Sequence, residues 1–427
     1  MTFRFDHREQ IALPTTLLKW AALGGLIGVM SGSASAFFLL ALGRVTALRE
    51  SHGFLLWLLP VAGLLTALLY QKFGQSVEAG NNLLIERAHA PGETVPLRMA
   101  PLVLIGTLAT HLCGGSAGRE GTAVQMGGAL ANLLHKPFRL RQNEQSLLIL
   151  SGISGGFGSV FGTPLAGAVF GLEVLSIGQI RYEALVPCFA ASVVGDMVCR
   201  AWGVTHSPYA VISLPPATFA LWSWILIAGI LFGGASLLFA ELTHAVSHAA
   251  KTWIKIPVLR PVVGGLIVIA LTYGVGTRDY LGLGLPLIAQ SFGPETVLPF
   301  VFLLKIVFTA VTVGSGFKGG EVTPLFAIGA TLGAAFANLT GQPTAFFAAL
   351  GFVAVFAGAS NTPLACTLVG VELFGSAIAV PLAAACIVSY IASGHRGIYL
   401  SQRIALSKSS AIATETDADL RSLRENR

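Results

Sequence analysis

Charge is what this chain has least of. Of its 427 residues only 11% are Asp, Glu, Lys or Arg, against ~25% in ordinary soluble domains, which argues against a soluble globular fold. Cysteine is scarce as well. The five present, Cys113, Cys188, Cys199, Cys366 and Cys386, show no C-x-x-C spacing, so they read as small core or lipid-facing residues, not metal ligands or disulfides. The nine histidines form no cluster, and His111 is expected to be packed. No metal and no cofactor is implied. Strict apolar–polar alternation is also missing, which excludes a membrane β-barrel. The first ten residues are polar and carry Asp6 and Glu9. The apolar run after Lys19 outlasts a signal-peptide core, so no cleavable leader is expected.

What is present is apolar. Hydrophobic residues make up 54% of the chain, and the mean hydropathy is +0.75. Runs such as Ala21 to Leu42, Phe54 to Tyr70 and Trp222 to Phe239 approach the ~20 residues that span a bilayer. The expectation is an all-α polytopic membrane protein. Its net charge of +6 then reflects an excess of cations on the inner side rather than a nucleic-acid surface. Arg4, Arg8 and Lys19 precede the first span, while Arg396, Arg403, Lys408, Arg421, Arg424 and Arg427 follow the last. Both termini are therefore placed in the cytoplasm, with an even number of crossings.

The chain repeats itself. Gly118-Arg119-Glu120-Gly121-Thr122 shares G-x-E-x-T with Gly319-Gly320-Glu321-Val322-Thr323, an offset of 319 − 118 = 201. Thr163-Pro164-Leu165-Ala166, Gly171 and Glu173 recur as Thr362-Pro363-Leu364-Ala365, Gly370 and Glu372, all at offset 362 − 163 = 199. Such halves usually make a transporter whose site lies near the midplane among interrupted helices. The expected organisation is a tail over 1–19, a first membrane repeat over 20–203, a connection over 204–216, a second repeat over 217–393 and a tail over 394–427. Short or broken apolar stretches at 98–113, 122–134, 262–273, 295–312 and 322–337 suggest half-spanning helices, whose ends need protein or a water-filled cavity around them.

An unpaired anion in the membrane interior costs tens of kcal/mol by a Born estimate, and one helix N-terminus returns at most ~2 kcal/mol. An anion site must therefore gather several N-termini around one point. Three turns offer themselves: Gly80-Asn81-Asn82, Gly118 to Thr122, and Gly319 to Pro324. Each has glycine where backbone must approach a ligand, and Pro324 suits a first helical turn.

These residues resemble the CLC family of chloride channels and proton-coupled anion transporters, over about Ala79 to Tyr399. The strongest element is Gly118-Arg119-Glu120-Gly121 with Gln125, Gly127 and Gly128 downstream, similar to the family's GREGP and following Q-x-G-G. Gly80-Asn81-Asn82 stands where the family has GSGIP, Gly319 to Pro324 where it has GGxFxP, and Tyr399 where it has an anion-contacting tyrosine. The resemblance implies two inverted halves, a homodimer with one pathway per subunit, and a membrane-lipid environment.

The departures matter. Thr122 replaces the motif proline, Asn81 the central serine and Val322 the filter phenylalanine. Glu321 adds a carboxylate, and Val174 occupies the place of the exchangers' inner proton-transfer glutamate. This pattern is similar to the bacterial fluoride/proton antiporter branch. It implies fluoride export across the cell inner membrane, with Glu120 as protonatable gate and Glu321 in proton coupling. The anion would meet Asn81, Gly121, Val322, Thr323 and Tyr399, with Phe326 and Phe317 as candidate ring edges. The alternative within the fold is a chloride channel or chloride/proton exchanger.

Plainer readings stand beside these. Glu120 could cap its own helix, Glu321 could be a cap or part of a polar network, Asn81 an N-cap, and Tyr399 an interfacial aromatic. Arg119 is expected to satisfy carbonyls or pair with a carboxylate. Glu173 and Glu372 are expected to order the helices after the Thr-Pro-Leu-Ala turns. Ser116 and Ser154 each sit in a G-x-S-x-G pattern, but no histidine has repeat support, so an enzyme is not expected.

Overall fold

The computed structural model describes residues 7–90, 92–206, 215–294, 296–409 and 417–425. Arg4 and Arg427 lie outside the described residues, as does most of the expected connection over 204–216. The first half runs through α1 (His7–Ser51), α2 (Leu59–Leu69), α3 (Asn81–His89), α4 (Met99–Leu112), α5 (Glu120–Asn132), α6 (Gln142–Phe161), α7 (Pro164–Glu173) and α8 (Leu185–Ala201). The second runs through α9 (Phe219–Trp253), α10 (Arg260–Val275), α11 (Leu285–Phe292), α12 (Val301–Gly314), α13 (Val322–Thr340), α14 (Thr344–Ser360), α15 (Pro363–Phe374) and α16 (Ala379–Ala392). Each half opens on its longest helix and places a short third helix before a 14-residue fourth. Helix α1 begins within the stretch expected as a tail.

The equivalent elements meet head to tail. Glu173, at the end of α7, accepts hydrogen bonds from Leu364 N (3.1 Å) and Ala365 N (2.9 Å) at the start of α15. Glu372, at the end of α15, accepts them from Leu165 N (3.0 Å) and Ala166 N (2.8 Å) at the start of α7. Each carboxylate therefore neutralises the positive end of the other half's helix and satisfies its free N–H groups. Helices α7 and α15 must run antiparallel for this, so the halves are inverted relative to one another.

Small residues let the helices close on this axis. A Cβ on Gly127 of α5 would stand 2.2 Å from the Gly152 carbonyl oxygen of α6, and one on Gly329 of α13 would stand 1.9 Å from that of Gly351 in α14. The same backbone-to-backbone contact is thus built twice. Gly24, Gly28 and Gly32 of α1 pack on α8 in the same manner. All five cysteines are buried and free, which places them in the core and not against lipid. Among the described residues, six helical stretches are long and apolar enough to cross a membrane. Helix α13 is one of them, longer than the sequence suggested, yet almost wholly enclosed by protein.

After α16 the chain crosses one face as a strap. Strand β1 (Ser176–Ile177) pairs in parallel with β2 (Arg403–Ile404), and α17 (Leu420–Glu425) follows. Ser401 N donates to Asn82 Oδ1 at 3.0 Å, and Arg421 pairs with Glu86 at 3.2 Å. The strap thereby fixes the start of α3, where Asn81 sits.

Candidate functional site

The two G-x-E-x-T loops meet in the interior. Gly118 N donates to the Gly320 carbonyl at 2.5 Å, and Gly320 N returns a bond to Gly118 at 2.8 Å. This antiparallel bridge sets the N-termini of α5 and α13 side by side. Nothing larger than glycine fits: a Cβ on Gly118 would lie 2.9 Å from Pro324 Cδ, and one on Gly320 2.7 Å from Gly121 N.

Glu120 is fully buried at this junction. One carboxylate oxygen accepts from Thr323 N at 3.0 Å and from its neighbour Arg119 N at 3.2 Å. The other accepts from the Thr323 hydroxyl and faces Arg119 Nε at 3.4 Å. The carboxylate therefore caps α13, the helix of the other half, rather than its own helix α5. A buried carboxylate is held here by two backbone N–H groups, one hydroxyl and the Arg119 guanidinium at a helix N-terminus, donors of the kind that suit a small anion.

Asn81 is close by. Its Nδ2 lies 3.0 Å from where a Cβ on Gly121 would be, while a Cβ on Gly121 would also lie 3.1 Å from Gly320 Cα. The α3 cap position belongs to Gly80, with no side-chain cap, so Asn81 is not the N-cap. Its buried Oδ1 has no hydrogen-bond partner among the described residues. Asn81, Glu321 and Tyr399 all line one open cavity of about 830 Å³. Tyr399 is buried, not an interfacial aromatic. Glu321 has no ion-pair partner among the described residues. Val322 is buried at the start of α13. Phe317 lines the cavity, whereas Phe326 does not. It stacks on Phe352 with ring centroids 4.1 Å apart and meets Phe161 at 5.2 Å.

The remaining motif residues make contacts within the protein. Thr122 bonds Thr107 through their hydroxyls at 2.7 Å, and buried Val174 offers its carbonyl to Gln402 at 2.9 Å. His111 is buried, with Nε2 3.5 Å from the Gly118 carbonyl. Ser154 donates to the Ala168 carbonyl at 3.4 Å.

Gln125 of α5, a motif residue to which the sequence assigns no role, lines the same cavity. One residue escapes the motif reasoning. Lys305 of α12 is fully buried and donates to Ser116 Oγ (2.9 Å) and to the carbonyls of Tyr280 and Gly282 (3.0 Å each). It clamps the turn before Glu120 to the second half, and Ser116 is further held by Thr309 at 2.9 Å. The rarity of charge in apolar runs was the signal for Lys305. Its repeat counterpart, 305 − 201 = 104, is Leu104.

The family model for voltage gated chloride channels matches residues 62–394. The chain belongs to this CLC family. It is 52% identical to the "Chloride/fluoride channel protein" of Pseudomonas syringae pv. tomato, over 95% of this chain and 91% of that one. It is 29% identical to the "H(+)/Cl(-) exchange transporter ClcA" of Yersinia pestis, covering 84% and 80%. The crystal structure of a CLC-type fluoride/proton antiporter superposes with a TM-score of 0.88 at 35% identity, covering 94% of this chain and all of that one. A slow cyanobacterial Cl⁻/H⁺ antiporter shares the fold, with a TM-score of 0.75 at 20% identity. The CLC fold of this chain is all-α, polytopic and membrane-embedded.

Proposed function

We propose that this protein exports fluoride in exchange for protons, with Glu120 as the protonatable gate. The observation that carries this reading is the seat of Glu120. Its carboxylate takes the Thr323 N–H and hydroxyl at the start of α13, the donors a dehydrated fluoride would use. Ionised, the carboxylate holds them as a tethered competitor. Protonated, it is a poorer acceptor, leaves, and frees them for the anion. Fluoride is small and a strong hydrogen-bond acceptor, so it demands more donors than chloride. The Asn81 amide beside Gly121 adds them. Glu321, on the cavity wall and with no ion-pair partner among the described residues, is the second proton station.

In the same reading the protein works as a homodimer in the bacterial inner membrane, with both termini cytoplasmic. The repeats over 20–203 and 217–393 form the pathway, and 1–19, 204–216 and 394–427 flank and join them. Glu120→Gln tests the gate. In proteoliposomes it should abolish fluoride-driven proton movement. Coupling unchanged from wild type would refute the assignment.

A second reading, chloride conduction or chloride/proton exchange, is favoured by the names of two relatives, which mention chloride. Efflux of the two anions measured in parallel separates the readings. Equal rates would favour the second.

A further inference from the structure

Lys318 sits three residues before Glu321 in the second G-x-E-x-T loop, and no motif accounts for it. Its stem is wedged against α4: a Cβ on Gly106 would lie 2.9 Å from both Cβ and Cγ of Lys318. Its ammonium rests over the Tyr70 ring, 4.1 Å from the centroid. Lys318 and Tyr70 line the same 830 Å³ cavity as Asn81, Glu321 and Tyr399.

The other two deeply placed lysines show what is unusual here. Lys305 donates to three oxygens and Lys408 to four. Lys318 has neither a hydrogen-bond acceptor nor a carboxylate within ion-pair reach among the described residues. The Tyr70 ring attracts the charge through its negative face but leaves the N–H groups free. An ammonium fixed in a recess with its donors unmet is a receptor for an anion. Glu321 and Glu78 line the same cavity; Glu78 acts on the ammonium through space, but neither carboxylate lies within ion-pair distance to occupy its donors.

We infer that Lys318 is an anion-binding residue of the cavity, taking a small inorganic anion before it reaches Asn81 and the Glu120 seat. This rests on the fluoride reading above. The cation raises the local anion concentration in a low-dielectric recess, and Tyr70 and Gly106 hold it in place.

The test uses full-length protein in wild-type, Lys318→Met and Lys318→Arg forms, with sodium fluoride as probe. Binding is read by calorimetry and efflux from proteoliposomes. Lys318→Met should weaken fluoride binding by about tenfold or more, the scale of one charge-assisted hydrogen bond, and raise KM more than it lowers kcat. Lys318→Arg should stay within about twofold of wild type, because it keeps the charge. Ionic strength should weaken binding to wild type but hardly to Lys318→Met. Should Lys318→Met not fold, Lys318→Gln reads the same quantity. Wild-type affinity in the Met variant, or equal losses in Met and Arg, would overturn the inference while leaving fluoride export standing. Failure of the wild type to bind or move fluoride would sink the underlying reading together with it.

Discussion

At Thr323 a backbone N–H and a hydroxyl converge on one buried carboxylate, so a single residue supplies two of the four contacts that hold Glu120, the two for which gate and anion compete in the proposed mechanism. Replacing it by valine keeps the shape and removes the hydroxyl. Thr323→Val should slow fluoride efflux by about tenfold or more, as loss of one donor to a buried anion does, and Thr323→Ser should stay near wild type. Efflux from Thr323→Val as fast as from wild type would show that the hydroxyl does not serve the anion. Glu120, Glu321 and Thr323 were legible in the sequence because each matches a partner at the same repeat offset in a chain poor in charge. Lys318 was not, since its counterpart, 318 − 201 = 117, is Ala117. The packing of Phe326 was not legible: its ring stacks on Phe352 and meets Phe161 at a tilt, partners more than twenty residues away or in the other half.

Among the elements, α7 and α15 exchange caps across the repeat axis. The sequence showed that Glu173 and Glu372 share a structural role, because both follow a Thr-Pro-Leu-Ala turn at one offset. It could not show that each serves the other half, since linear spacing carries no information on which helix start a carboxylate faces. Removal of Glu173 leaves the buried N–H group of Ala365 and the part-buried one of Leu364 without their acceptor. Glu173→Ala should therefore destabilise the protein by ~1–2 kcal/mol, the range of a lost helix cap. Glu372→Ala should cost less, because Glu372 is half-buried where Glu173 is buried. Thermal unfolding of both variants in detergent checks the order, and a larger loss for Glu372→Ala would contradict it.

For the whole molecule, inversion brings two copies of one loop into a direct backbone bridge, Gly118 to Gly320, at the centre of the fold. At this junction the first half's carboxylate, Glu120, is seated on the second half's helix start through the Thr323 N–H and hydroxyl. The cavity then approaches this junction along Asn81, Lys318 and Glu321. The central claim is that the Glu120 carboxylate and fluoride compete for one set of donors. Equilibrium fluoride binding to purified protein, measured by calorimetry as a function of pH, tests it directly. The account predicts that wild-type affinity rises as pH falls, because protonation vacates the seat, while Glu120→Gln binds tightly and loses most of that dependence. Fluoride affinity in wild type that does not change between acidic and alkaline pH, or an unchanged pH dependence in Glu120→Gln, would contradict it.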